Sequence, residues 1–220
     1  MYHIFVDLEF NNVERQYKRQ YGKHEVIEFG AVVLDENMAE VGHFKSYVKP
    51  QFSKRIHKVI EDLTGITSSM VAEAKGFAEV LASFCEWCHS FKEYIVYEWS
   101  NSDLMQILRE TKKKAIELSE VELAVLHDWQ DAQLIYGRQV ETDTQVALET
   151  AIWSIGEGIE GQLHDALWDA RNTARVYALM RQEGVVERAK QVLHHGTTES
   201  SFSYTLADLF DFSKLQLAIA

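Results

Sequence analysis

Asp7-Leu8-Glu9 lies in an opening run, Tyr2–Phe10, whose alternation puts Ile4, Val6, Leu8 and Phe10 on one face of a strand and Phe5, Asp7 and Glu9 on the other. Two neighbouring carboxylates on a strand otherwise apolar enough to be central repel each other and lose hydration. They need a cation or a solvent-filled cleft. A hard divalent metal meets both needs. The pattern alone is weak, because 11 Asp and 23 Glu in 220 residues give roughly one Asp-x-Glu by chance, and a solvated strand end is the alternative.

A second candidate pair sits in Gln162-Leu163-His164-Asp165-Ala166-Leu167-Trp168-Asp169-Ala170. From Ala166, alanines recur every four residues through Ala170, Ala174 and Ala178, a small-residue stripe that lets a helix approach a sheet closely. Asp169 falls in the first turns of that helix. On a continuous helix His164 and Asp169 would diverge by about 140°, so a shared site requires His164 in the preceding loop or cap, which Gly158 and Gly161 can supply. A capping histidine and a surface aspartate are the alternative. A third carboxylate, Asp103, follows the apolar run Tyr94–Trp99 across Ser100-Asn101-Ser102, beyond the C-terminal end of a strand, where ligand sites in α/β sheets lie. An acid stabilising a helix N-terminus is the other reading of Asp103.

These residues need elements to carry them. Strands are predicted at Tyr2–Phe10, Val26–Leu34 and Val41–Val48, an antiparallel meander, with a fourth at Tyr94–Trp99. Helical periods cover Ser69–Ala74, Phe77–Phe91, Asp103–Lys113, capped by Ser102, then Ser119–Leu126, Thr144–Ile155 and Asp165–Gln182. Strands first, then helices alternating with strands, imply a mixed sheet with helical cover. Gly196–Ser203 reads as a loose polar tail, and Thr205–Leu217 as a short amphipathic helix that docks back.

Composition sets the outer limits. With 46% apolar and 25% charged residues and one proline, the chain buries a core and is not disordered. No apolar run approaches the ~20 residues of a membrane span, and the acidic N-terminal stretch suits neither a span nor a signal peptide, so a cytoplasmic protein without membrane contact is expected. The net charge of −12 argues against gripping nucleic acid by bulk electrostatics. Residues 1–60, however, hold nine Lys and Arg against eight acids, which leaves room for a local basic surface.

In chain order, Asp7-Leu8-Glu9, then Asp103 in Trp99-Ser-Asn-Ser-Asp, then His164-x-Ala-x-x-Asp169-Ala resemble the three motifs of the DEDDh exonucleases. The last string would arise by chance in roughly three of a thousand chains of this composition. The resemblance spans about residues 1–184 and extends to Leu63-Thr64-Gly65-Ile66-Thr67 and Asp169-Ala-Arg-Asn-Thr-Ala174, details most similar to eri-type RNA exonucleases and bacterial KapD-type proteins. It implies an α/β, RNase H-like mixed β-sheet, antiparallel in its first three strands and then parallel, flanked by helices. Residues 1–184 would form the exonuclease domain and 185–220 a helical extension docked on it. It further implies hydrolysis of single-stranded RNA or DNA from the 3′ end, RNA favoured, to nucleoside 5′-monophosphates. Asp7, Glu9, Asp103 and Asp169 would hold two Mg²⁺ or Mn²⁺ ions, and His164 would be the general base. Leu8, Phe10, Leu63 and Thr64 would contact the terminal nucleotides. Many relatives have Thr at the position of Phe10, Gly at Ser100 and Asp at Trp168. An enzyme specialised for short oligoribonucleotides and a non-catalytic nucleic-acid-binding module on the same fold are the rival readings.

Other features read as structural. Cys85-Glu86-Trp87-Cys88-His89 lacks a second ligand pair for zinc and suits a helix face with buried thiols. His194-His195 reads as tail, and Lys112-Lys113-Lys114 as a solvated helix end. Lys49, Lys54, Arg55 and Lys58 flank Leu63-Thr64-Gly65, where they could track phosphates.

Overall fold

The computed structural model describes residues 1–195, so the readings of Gly196–Ser203 and Thr205–Leu217 lie outside the described residues. Five strands form one sheet: β1 (Tyr2–Asn12), β2 (His24–Leu34), β3 (Glu40–Tyr47), β4 (Tyr94–Glu98) and β5 (Gln130–Asp131). Their order is β3-β2-β1-β4-β5. The β1–β2 and β2–β3 pairs are antiparallel and the β1–β4 and β4–β5 pairs parallel, the mixed sheet the sequence implied.

Helices cover both faces. On one side Ile4, Val6 and Leu8 of β1 and Phe29, Ala31 and Val33 of β2 meet Val80, Leu81 and Phe84 of α4 (Phe77–His89) and Ile107 of α5 (Ser102–Lys113). Cys85 and Cys88 are buried free thiols in that layer, and His89 is exposed. On the other side Phe5, Val32 and Leu34 lie under Ala170, Ala174 and Tyr177 of α9 (Ala166–Leu179). The alternation of β1 thus places Asp7 and Glu9 on the α9 side, where the polar residues must find partners.

A third cluster joins α7 (Ala132–Gln139), α8 (Leu148–Ser154), α9 and α10 (Val185–His195) through Tyr136, Ile152, Val176 and the fully buried Ala189. His194 is therefore not tail. It lies in the last turn of α10, with Nε2 2.9 Å from the Val140 carbonyl. Four short helices complete the described residues: α1 (Lys18–Tyr21), α2 (Lys58–Thr64), α3 (Ser68–Ala72) and α6 (Glu120–Val125). The expected helix over Thr144–Ile155 begins only after Ala147, whose backbone is extended. Among the described residues, no helix is long and apolar enough to cross a membrane.

Candidate active site

Asp7 pairs across the sheet with Gly30, and Glu9 with Glu28, just before a bulge between Glu9 and Phe10. Gly30 explains why Asp7 meets α9. A Cβ there would lie 2.1 Å from the Ala166 carbonyl carbon and 2.2 Å from Leu167 N, so the first turn of α9 touches β2 directly. With alanine at every fourth position behind that contact, the helix stays close and brings Asp169 to the two strand acids.

Asp103 arrives from the opposite layer. The first turn of α5 has no capping side chain of its own, because Asn101 at the N-cap makes no such bond. Buried Glu98, the last residue of β4, instead accepts from the backbone N–H groups of Asp103 and Leu104, both at 2.9 Å. Ser102, expected to cap this helix, points its hydroxyl at Ser100 Oγ instead. Ser100 adopts the left-handed conformation, φ +78°, at a position where glycine would carry no strain.

His164 precedes α9 in the left-handed region, φ +60°, outside the helix as the spacing required. Its backbone N–H donates to Asp169 Oδ2 at 2.9 Å. Asp165 caps the helix through Oδ1 to Leu167 N and Trp168 N. Its Oδ2 sits 2.5 Å from Lys45 Nζ, which also pairs with Glu28 at 3.2 Å. Glu28 Oε2 accepts from Ala166 N at 3.0 Å. Strands β2 and β3 thus hold the start of α9 by charge as well as by contact. Trp168, where aspartate is common in the resembling family, packs against Gly161, leaving no room there for a Cβ.

The five motif residues open on one cavity of about 650 Å³. Leu8, Phe10, Leu63 and Thr64 line it too, together with Asn12, His24 and Glu149. The helix α2 that supplies Leu63 and Thr64 is anchored by fully buried Asn11, which donates to Arg55 O and accepts from His57 N. Sequence reasoning missed Glu98, Glu28, Lys45 and Asn11 as supports. One signal was present, a glutamate inside the apolar run Val26–Leu34.

Burial and mutual repulsion govern the electrostatics. Asp7 and Glu9 are pushed well above the usual carboxylate range, first by burial and then by the neighbouring acids. Asp103 is raised likewise, by burial and then by Glu98. Asp169 is pushed up to about 6 by burial, against the opposing N–H of His164. Burial holds the His164 imidazole below its ordinary value. Glu9, His164 and Asp169 each present a ligand atom, all within 4.8 Å of one another. Asp169 Oδ1 is buried without a hydrogen-bond donor. A divalent cation suits this donor set: it would satisfy that oxygen and offset the burial and mutual repulsion that raise the pKa values of these acids.

The Exonuclease (RNase_T) family matches residues 4–177. The chain is 28% identical over 184 residues to rat 3′-5′ exoribonuclease 1, covering 79% of this chain and 51% of that protein. It is 31% identical over 185 residues to zebrafish ERI1 exoribonuclease 2, covering 73% of this chain and 32% of that protein. The chain spans about half or less of the length of these curated relatives. In fold it is similar to the nuclease domain of 3′hExo, a DEDDh family member solved with rAMP, at TM-score 0.72 and 23% identity, over 84% of this chain and 94% of that one. It is also similar to Escherichia coli exonuclease I with a dT13 oligonucleotide, at TM-score 0.62 and 14% identity, over 89% of this chain and 43% of that one.

Proposed function

The chain belongs to the Exonuclease (RNase_T) family, and from that premise we propose that it is a metal-dependent 3′–5′ exonuclease that shortens single-stranded nucleic acid to nucleoside 5′-monophosphates. One observation carries the reading. Carboxylates from β1, α5 and α9 converge with His164 on one cavity, and three of the ligand atoms lie within 4.8 Å. RNA is the preferred substrate in this reading, supported by relatives named as exoribonucleases.

Asp7, Glu9, Asp103 and Asp169 would hold two divalent ions, Mg²⁺ or Mn²⁺. When bound, such ions stabilise negative charge developing at the scissile phosphate. The residues of the chain do the rest. His164, kept below its ordinary pKa by burial, is neutral near pH 7 and takes the proton of the attacking water at an imidazole nitrogen. Leu8, Phe10, Leu63 and Thr64 form the cavity wall against which the terminal nucleotides rest. Lys45, Glu28 and Asp165 keep the start of α9, and so His164 and Asp169, in register with β1.

The direct test is incubation of the protein with 5′-labelled single-stranded RNA and DNA, in Mn²⁺ or in EDTA. The expected result is a ladder shortening from the 3′ end, faster on RNA, and absent in EDTA. Cleavage of a circular substrate, or no cleavage in Mn²⁺, would overturn the proposal. Shortening of di- to tetranucleotides only would favour the short-oligonucleotide enzyme.

A further inference from the structure

The hairpin connecting β1 to β2, residues 13–23, holds Arg15, Lys18, Arg19 and Lys23 against one acid, Glu14, in a chain of net charge −12. All four cations are exposed, and none makes an ion pair among the described residues. Elsewhere Lys45, Lys114, Arg171, Arg175 and Lys190 are neutralised by carboxylates. Glu14 is occupied, accepting from Lys54 N and Gln16 Nε2 at 3.1 Å each.

The hairpin is held in place. Val13 N donates to Lys23 O at 2.9 Å across its base, and the Tyr21 ring stacks on Phe52 at 3.7 Å. A Cβ on Gly22 would sit 3.7 Å from Arg109 Cδ, which puts a further cation from α5 beside the turn. Asn12 and His24, the pair that closes the β1–β2 ladder, both line the catalytic cavity. The fields of Lys18, Lys23 and Arg109 reach His24, whose pKa is lowered first by burial and then by these cations. A positive ledge therefore begins where the acidic cavity ends.

We infer that this hairpin is a second binding surface, which holds the phosphates of a single strand whose 3′ end lies among the acids. The inference rests on the exonuclease reading for the placement of that end, but not for the binding itself. Because the cations would meet phosphates and no bases, RNA and DNA are held alike. A trinucleotide has two internucleotide phosphates, and with the scissile one among the acids it leaves at most one for the ledge.

The test compares the wild type with a Lys18→Gln/Arg19→Gln/Lys23→Gln variant and a Lys92→Gln control, Lys92 lying just before β4 at the opposite end of the sheet. Fluorescence anisotropy in EDTA gives the affinity for a labelled 20-nucleotide strand across salt concentrations, with no turnover needed. Three phosphate contacts on a single strand correspond to a salt slope of about 2, or binding about 10- to 100-fold weaker near 0.1 M salt. The expected result is that loss in the triple variant, equal for RNA and DNA, with a several-fold smaller change in kcat/KM on a trinucleotide and no effect in the control. An unaltered salt slope, or equal losses on the trinucleotide and the 20-nucleotide strand, would overturn the hairpin assignment. If the wild type cleaves nothing, the exonuclease reading fails, and the anisotropy result still decides the hairpin.

Discussion

His164 holds a left-handed backbone that costs a non-glycine residue roughly 1–3 kcal/mol, and the structure keeps it there through its N–H bond to Asp169 and the Asp165 cap that follows. Its imidazole lies within reach of both Glu9 and Asp169, so it can serve as a base or as a ligand, and substitution separates the two. As a base it contributes about 10²–10⁴-fold, so His164→Ala should lose that much turnover while Mn²⁺ binding by calorimetry stays near wild type. Lost Mn²⁺ affinity in that variant would make His164 a ligand. Asp7→Ala should abolish turnover and most Mn²⁺ binding while the fold survives, since removing one of several repelling buried acids relieves the metal-free protein. Wild-type rates in Asp7→Ala would sink the site assignment. The five motif residues were legible chiefly through the order of the three motifs along the chain, since the acids on an apolar strand, Asp103 at a helix start and His164 ahead of a helix each had a structural reading when taken alone. Glu98 and Lys45 were not legible, because their roles arise from contacts between β4 and α5 and between β3 and α9 that no local pattern encodes.

At the scale of elements, the site depends on how closely α9 approaches β2. Gly30→Ala would press a methyl into the backbone of Ala166, so the helix must move away. Overpacking of this kind costs typically 1–3 kcal/mol, and here the displaced helix carries Asp169, with His164 just before its Asp165 cap. Thermal unfolding should register the loss of stability, and turnover should fall by more than the change in folded fraction explains. A Gly30→Ala protein with unchanged melting temperature and rate would refute the close-contact account. The elements that read clearly from sequence were those long enough for their periods to repeat: β1, β2, α4, α5 and α9. Helices α1, α2 and α7 and the two-residue β5 escaped notice. Segments this short draw their stability from tertiary packing rather than from local preference. The register of β1 was the most informative inference, since one residue of slip would have turned both acids into the α4 layer.

For the whole molecule, stability and function pull against each other at the acidic cavity. Glu98 is raised to about 7 and Asp169 to about 6, with Asp7, Glu9 and Asp103 also well above the ordinary range, all chiefly by burial. Between the unfolded and folded pKa values the folded chain binds more protons, so these groups favour folding at low pH. That contribution is lost as pH rises through the folded values. His3, His24 and His164, held below 6.5, act oppositely, but only once pH falls below that value. The window from pH 8 down to 6.5 therefore isolates the carboxylates. In EDTA the melting temperature should rise across it. Mn²⁺ should reverse the trend, because a cation that binds only the folded, ionised cluster stabilises it by about 2.7 kcal/mol at a hundred times its Kd. For a chain of this size that is about 5–10 °C, greatest at pH 8 and shrinking as protons compete for the same oxygens. The measurement is a melting curve at each pH with Mn²⁺ or EDTA. A flat profile in EDTA together with no Mn²⁺ shift at pH 8 would mean that the clustered acids are neither strained without metal nor able to hold it.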